Sequence, residues 1–217
     1  MKMRPETLAL LVAHILLFQS AIARSDEIIY ATMPVLRYNP ALDGMESGSL
    51  SLAYKQLDNR IMIYSQESLT TFAFELSRAE ADSMVQRIDK YSSWNKKASA
   101  MGAEITKDIG RVYAAMTAWD LGWRWTLGYG IDCTVEFRSL SPKVHRMIIQ
   151  FPLAKSTLGP EYDHRGETLC LDWGAAQQLR MMLDRNVIDS LVAEANLAAA
   201  KQQALEAKQK AIEDEFK

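Results

Sequence analysis

The sequence predicts an α+β fold: antiparallel strands arranged as a duplicated strand-strand-strand-helix unit, followed by a long C-terminal helix. Three observations predict it. First, Trp123, Trp125, Leu127, Tyr129, Ile131, Cys133, Val135 and Phe137 are apolar and odd-numbered, and mostly polar or small residues stand between them. That is the two-residue period of a strand with one buried face. Second, Ser77-Arg78-Ala79-Glu80 has the spacing of a capping box, in which the serine hydroxyl and the glutamate carboxylate each satisfy the other's backbone N–H. Third, the same strand-to-helix junction recurs 95 residues later. Leu76 falls on Leu171, Ser77 on Asp172, and Ala81, Met84 and Ile88 on Ala176, Leu179 and Leu183. The pattern fits two sheets or one continuous sheet covered by two helices.

Residues 1–23 read as a secretory signal peptide. Lys2 and Arg4 form a positive start, Leu8 to Phe18 is apolar apart from His14, and Ala21-Ile22-Ala23 supplies small residues for cleavage. The apolar run is too short for the roughly 20 residues that span a bilayer. Export to a secreted or periplasmic location is therefore expected, with no membrane association after cleavage. The chain has no Asn-x-Ser/Thr acceptor, which favours a bacterial exported protein.

Residues 24–48 read as an extended N-terminal arm punctuated by Pro34, Pro40, Gly44 and Gly48. Residues 49–110 read as the first β-meander plus helix. Leu50, Leu52 and Tyr54 alternate with Ser49, Ser51 and Ala53. Asp58-Asn59 can supply a two-residue turn. Ile61 and Ile63 continue in a second strand, and Phe72, Phe74 and Leu76 in a third. The helix begun by Ser77 carries Ala81, Met84, Ile88 and Tyr91 at three-to-four spacing, prolonged by Trp94, Ala98 and Met101. Gly102 can stop it, although Ile105 and Ile109 extend the pattern.

Residues 111–186 read as the second meander plus helix: the long Trp123–Phe137 strand, a strand from Val144 to Phe151, a short one at Leu169 and Leu171, and a helix capped by Asp172. Residues 187–217 form an Ala-rich C-terminal helical tail free of Gly and Pro. Leu191, Ala198, Leu205 and Ile212 recur every seven residues, but Gln202 and Gln209 hold the second seam position of a coiled coil. The tail is either a solvated helix or an arm that binds a partner or itself.

Composition excludes several functions. The chain is 48% apolar and 24% charged with a net charge of -2, so no basic footprint for nucleic acid exists. No phosphate loop, dinucleotide fingerprint, Gly-x-Ser-x-Gly elbow, Ser-x-x-Lys set or His-Glu-x-x-His motif occurs. No cofactor and no metal centre are expected.

Four weaker features remain. Cys133 and Cys170 are the only thiols, and an oxidising compartment favours a disulfide between them. Bridging a loop of about 38 residues would stabilise by about 4 kcal/mol on the chain-entropy account. Parity opposes it, because Cys133 lies on an apolar face while Cys170 alternates against Leu169 and Leu171. The bond would need a bulge, a sheet edge or an interlayer position. His145 alternates with Met147, Ile149 and Phe151 and reads as a core histidine. Asp163 and His164, in the polar connection from Pro152 to Gly166, are weak catalytic candidates, since an imidazole beside a carboxylate can do acid–base or metal chemistry. Trp119, Trp123, Trp125 and Tyr129 could line a groove for a sugar or peptide.

The sequence thus leads to an exported, non-catalytic protein that works through protein–protein contact, with an unknown protein partner meeting the C-terminal helix. The alternatives are a hydrolase or metal-assisted enzyme built on Asp163 and His164, and a small-ligand binder with an aromatic groove.

Overall fold

The computed structural model describes residues 27–39, 43–67, 70–120, 123–153, 155, 159 and 166–215. Eight antiparallel strands run in sequence order and close into a barrel. They are β1 (Glu27–Asn39), β2 (Gly44–Lys55), β3 (Arg60–Glu67), β4 (Thr70–Leu76), β5 (Thr106–Asp120), β6 (Trp123–Ser141), β7 (Val144–Phe151) and β8 (Glu167–Leu171). Helix α1 (Arg78–Met101) separates β4 from β5. Helices α2 (Trp173–Met182) and α3 (Arg185–Glu215) follow β8. Each half of the barrel contributes four strands and then a capped helix, one strand more per half than the sequence suggests.

The alternation read from the sequence sets which face points inward. Met33, Leu50, Leu52, Ile61, Ile63, Phe74, Met116, Val135, Phe137, Met147, Ile149 and Leu171 are buried and join one core cluster. An eight-stranded barrel has an interior just wide enough for side chains to fill. Phe74 of β4 and Phe151 of β7 stack across it, so side chains fill the barrel at that level. Each such side chain removed from water contributes about 1.5–3 kcal/mol. On the opposite face Ala53, Met62, Tyr64 and Ala73, with Ile29 packed against them, make a second, small cluster.

The helices cap one end of the barrel. The capping box forms as its residues predict: the Glu80 N–H donates to Ser77 Oγ at 3.3 Å and the Ser77 N–H to Glu80 Oε2 at 2.6 Å. Helix α1 buries Ala81, Met84, Ile88, Tyr91 and Ala98 and stops at Gly102, which takes the left-handed conformation with φ 61°. Ile105 and Ile109 therefore do not prolong it. Tyr91 donates to the His145 carbonyl at 3.2 Å, and Trp94 meets the Phe137 ring edge-on at 6.1 Å. In α2, the Ala175 N–H donates to the Asp172 carboxylate at 2.8 Å. The two helices meet through Gln177 and Ser92 at 2.6 Å and Arg180 and Asp89 at 2.5 Å.

Three expectations need correction. The extended arm is strand β1, paired with β2 from Glu27↔Lys55 to Asn39↔Gly44. Pro34 is tolerated there because β1 pairs with β8 only at Leu36↔Cys170 and Arg37↔Leu169, so its missing N–H breaks no ladder on that side. Strand β5 occupies residues 106–120, where the sequence shows no clean alternation. Register shifts at Asp108/Gly110, Ala114/Met116 and Met116/Thr117 break the parity, as bulges do. The β2–β3 turn spans four residues closed by the Lys55↔Arg60 pair; of Asp58 and Asn59 only Asn59 has positive φ, at 50°.

Candidate functional site

Among the described residues, three places carry unusual chemistry or exposure: the mouth remote from the helices, the seam between β1 and β8, and the projecting part of α3.

At the mouth remote from the helices, the inward positions turn polar. Arg37 pairs with Glu46, and its Nη1 lies 4.0 Å from Glu167 Oε1. Ser65 donates to Glu167 at 2.6 Å, and Asn39 donates to Glu46 at 2.7 Å. Hydrogen bonds from Asn39 and Arg37 hold the Glu46 carboxyl below its ordinary range. Each side chain named in this cluster has at least one partner, and together they tie the ends of β1, β2, β3 and β8. The sequence hides it: Arg37 and Glu167 sit at positions in step with Met33, Val35 and Leu169, where the alternation alone predicts apolar residues.

At the seam, two register pairs close the barrel. Helix α2 packs against the part of β1 left unpaired, and Tyr30 donates to the Met182 carbonyl at 3.1 Å. A cavity of about 270 Å³ remains, lined by Val35, Leu36, Arg146, Cys170, Asp172 and Gln178 among others. The Arg146 Nη1 donates to the His145 carbonyl at 3.2 Å; no carboxylate pairs with it among the described residues. Burial raises the Cys170 thiol above its ordinary range, against the opposing pull of Arg146 and Arg138. A protonated thiol is a poor nucleophile, and the Asp172 carboxylate is held by its cap. The seam can hold a small ligand.

The expected disulfide is corrected. Cys133 and Cys170 are both buried and both free. Cys133 belongs to the interior cluster, whereas Cys170 lines the seam cavity, so the parity mismatch is real and no bulge in β8 resets it. Burial pushes the Cys133 thiol up to about 12. His145 is the core histidine its spacing indicates: its Nδ1 lies 2.9 Å from Ser139 Oγ and its ring stacks on Phe137 at 5.3 Å.

Asp163 and His164 lie outside the described residues. The backbone of the aromatic set is placed: Trp119 pairs with Thr71 and Arg124, Trp125 with Ala118, and Trp123 with Asp120. Trp119 shares no cross-strand pair with Trp123 or Trp125. The side chains of these three and of Tyr129 are outside the described residues. Among the described residues no group of three or more His, Cys, Asp or Glu is placed to hold a metal ion.

The third place is α3. Its first turns dock on the body: Ile188 is buried, Asp189 pairs with Arg78 at 3.0 Å, and Gln56 reaches Asn196 at 3.5 Å. Residues 196–210 and Ile212 are exposed, with Leu197, Leu205 and Ile212 more than half open to solvent. At 1.5 Å per residue this part extends roughly 30 Å from the last contact with the barrel. No family model, characterised protein or solved structure matches this chain.

Proposed function

We propose that the protein is a non-catalytic scaffold that acts after export, with the barrel as a rigid body and the outer part of α3 as its contact surface. One observation carries this reading: a 31-residue helix docks only its first turns on the barrel and leaves residues 196–210 and Ile212 exposed. Leu197, Leu205 and Ile212 are more than half open to solvent, and they gain burial only from another molecule. The filled interior and the partnered polar mouth favour a body that positions the helix over one that turns over a substrate.

The test places a photo-cross-linking residue at Leu205 in the chain expressed in its own host. A discrete adduct that disappears when the residue is moved to the buried position Ile188 supports the reading. The absence of any adduct at Leu197, Leu205 and Ile212 overturns it. Removing residues 197–217 should leave the thermal midpoint within about 2 °C, because residues 197–210 and Ile212 are exposed.

A second reading attaches to the seam cavity, on the single observation that the Arg146 guanidinium lines it with no acidic partner among the described residues. Carboxylate-bearing small molecules are the ligand class it fits. Thermal shift against a carboxylate panel, with Arg146→Gln as the control, decides it: ligands that stabilise both forms equally do not use this site.

A further inference from the structure

We infer that the projecting segment of α3 pairs in parallel with the same segment of a second copy of this chain; the inference rests on the reading of α3 as a contact surface. The seven-residue repeat assigns the register. Leu191, Ala198, Leu205 and Ile212 take one seam position, and Ile188, Ala195, Gln202 and Gln209 the other. The barrel already uses the first pair, since Ile188 is buried and Leu191 is half-buried. Ala195 is half-buried, and Ala198, Gln202, Leu205, Gln209 and Ile212 are exposed.

A seven-residue repeat drifts about 20° per heptad against a straight α-helix. From Leu191 to Ile212 the seam therefore rotates away from the side on which Ile188 and Val192 meet the barrel. A second helix can lie along Ala198, Leu205 and Ile212 without displacing either body.

Charge selects the occupant and its direction. Lys201 and Lys208 flank one edge of the seam, and Glu206 flanks the other. In a parallel pair these edges face each other five residues out of step, so Lys201 of each copy meets Glu206 of its partner. The sequence repeats the spacing once more, from Lys208 to residue 213, a glutamate. In an antiparallel pair centred on Leu205 like edges face each other, bringing Lys201 against Lys208 and glutamate against glutamate. Gln202 and Gln209 add to the selection, because a polar side chain at this seam position specifies register and a two-stranded state at a cost in stability. In the single chain Gln202 donates instead to Glu206 at 2.7 Å, and that bond is exchanged on pairing. With alanine and glutamine filling half the seam the pair is weak and concentration-dependent.

Sedimentation equilibrium of the purified protein from about 5 to 500 μM is the test, a range matched to micromolar affinity. The expected result is a mass that rises towards twice the chain mass. Glu206→Lys sets two lysines against each other at each edge and should raise the dissociation constant by about tenfold. Lys201→Glu combined with Glu206→Lys swaps the charges and should restore pairing, while circular dichroism keeps the helix content constant across the set. A protein that stays monomeric throughout, or a dimer indifferent to both charge changes, overturns the inference. The cross-link at Leu205 separates this failure from that of the contact surface itself. An adduct of twice the chain mass supports self-pairing, an adduct of any other mass overturns self-pairing and keeps the contact surface, and no adduct removes both.

Discussion

Phe74 and Phe151 stack ring on ring across the barrel, with centroids 3.5 Å apart and planes 15° from parallel. They come from β4 and β7, strands with no hydrogen bonds between them. This contact ties the two halves of the chain together through the interior and fills the space a ligand would otherwise take. Phe74→Ala should destabilise by about 3–5 kcal/mol, through lost transfer energy and an unfilled cavity. Urea unfolding measures it, and a loss below about 1 kcal/mol would show that the interior collapses around the site.

The N-cap of α1 is worth testing separately from its packing. Ser77→Ala removes the acceptor for the Glu80 N–H, and the expected cost is about 1 kcal/mol. Ser77→Asp should keep most of the stability, because a carboxylate also caps and complements the helix dipole. Equal losses for both substitutions would show that the hydroxyl does something other than capping.

Burial lowers the basicity of the His145 imidazole below its ordinary range. The fold then holds it neutral while the unfolded chain takes up a proton. As the pH falls through about 6.5, the unfolded state binds more protons than the fold, and stability declines. Above that pH the effect vanishes. His145→Gln should flatten the decline below about pH 6.5, seen in the difference between denaturation midpoints. Parallel curves for the two proteins would show that other groups dominate.

The two thiols should be inert in the native protein. Burial is the main reason for both: it places Cys133 at about 12 and raises Cys170. Iodoacetamide near pH 8 should label neither cysteine in the fold and both after denaturation without reductant. Denatured protein that takes up no label until it is reduced would establish the disulfide and refute the free-thiol arrangement.

Gly166 leads into β8 at φ 86°, a conformation that costs an L-residue roughly 1–3 kcal/mol. A Cβ there would collide with the Phe151 carbonyl oxygen and stand 2.9 Å from the Pro152 carbonyl carbon. Gly166→Ala should therefore destabilise by about 2 kcal/mol or more, read from thermal or urea unfolding. A neutral outcome would mean that the β7–β8 connection relaxes freely.

Local features were legible in the residues because local physics decides them. The strand from Val144 to Phe151, the inward row from Ile131 to Phe137, the cap residues Ser77 and Asp172 and the buried stripe of α1 all follow from periodicity and side-chain-to-backbone bonding. Strand β5 was not legible, since Gly110 and the shifts beside Met116 interrupt the period. Strand β1 was masked by Arg37 and Asn39, inward positions made polar by the mouth cluster.

By itself, the sequence determined which side of each regular strand is apolar, where two helices begin, and that the tail is helical. Only the tertiary structure decided that the sheet closes, that Cys133 and Cys170 stand apart, and that a cavity opens beside Arg146. Closure rests on the pairs Leu36↔Cys170 and Arg37↔Leu169, which join residues more than 130 positions apart. A contact at that separation depends on the accumulated twist and bulges of every strand between, and no short stretch of residues encodes it.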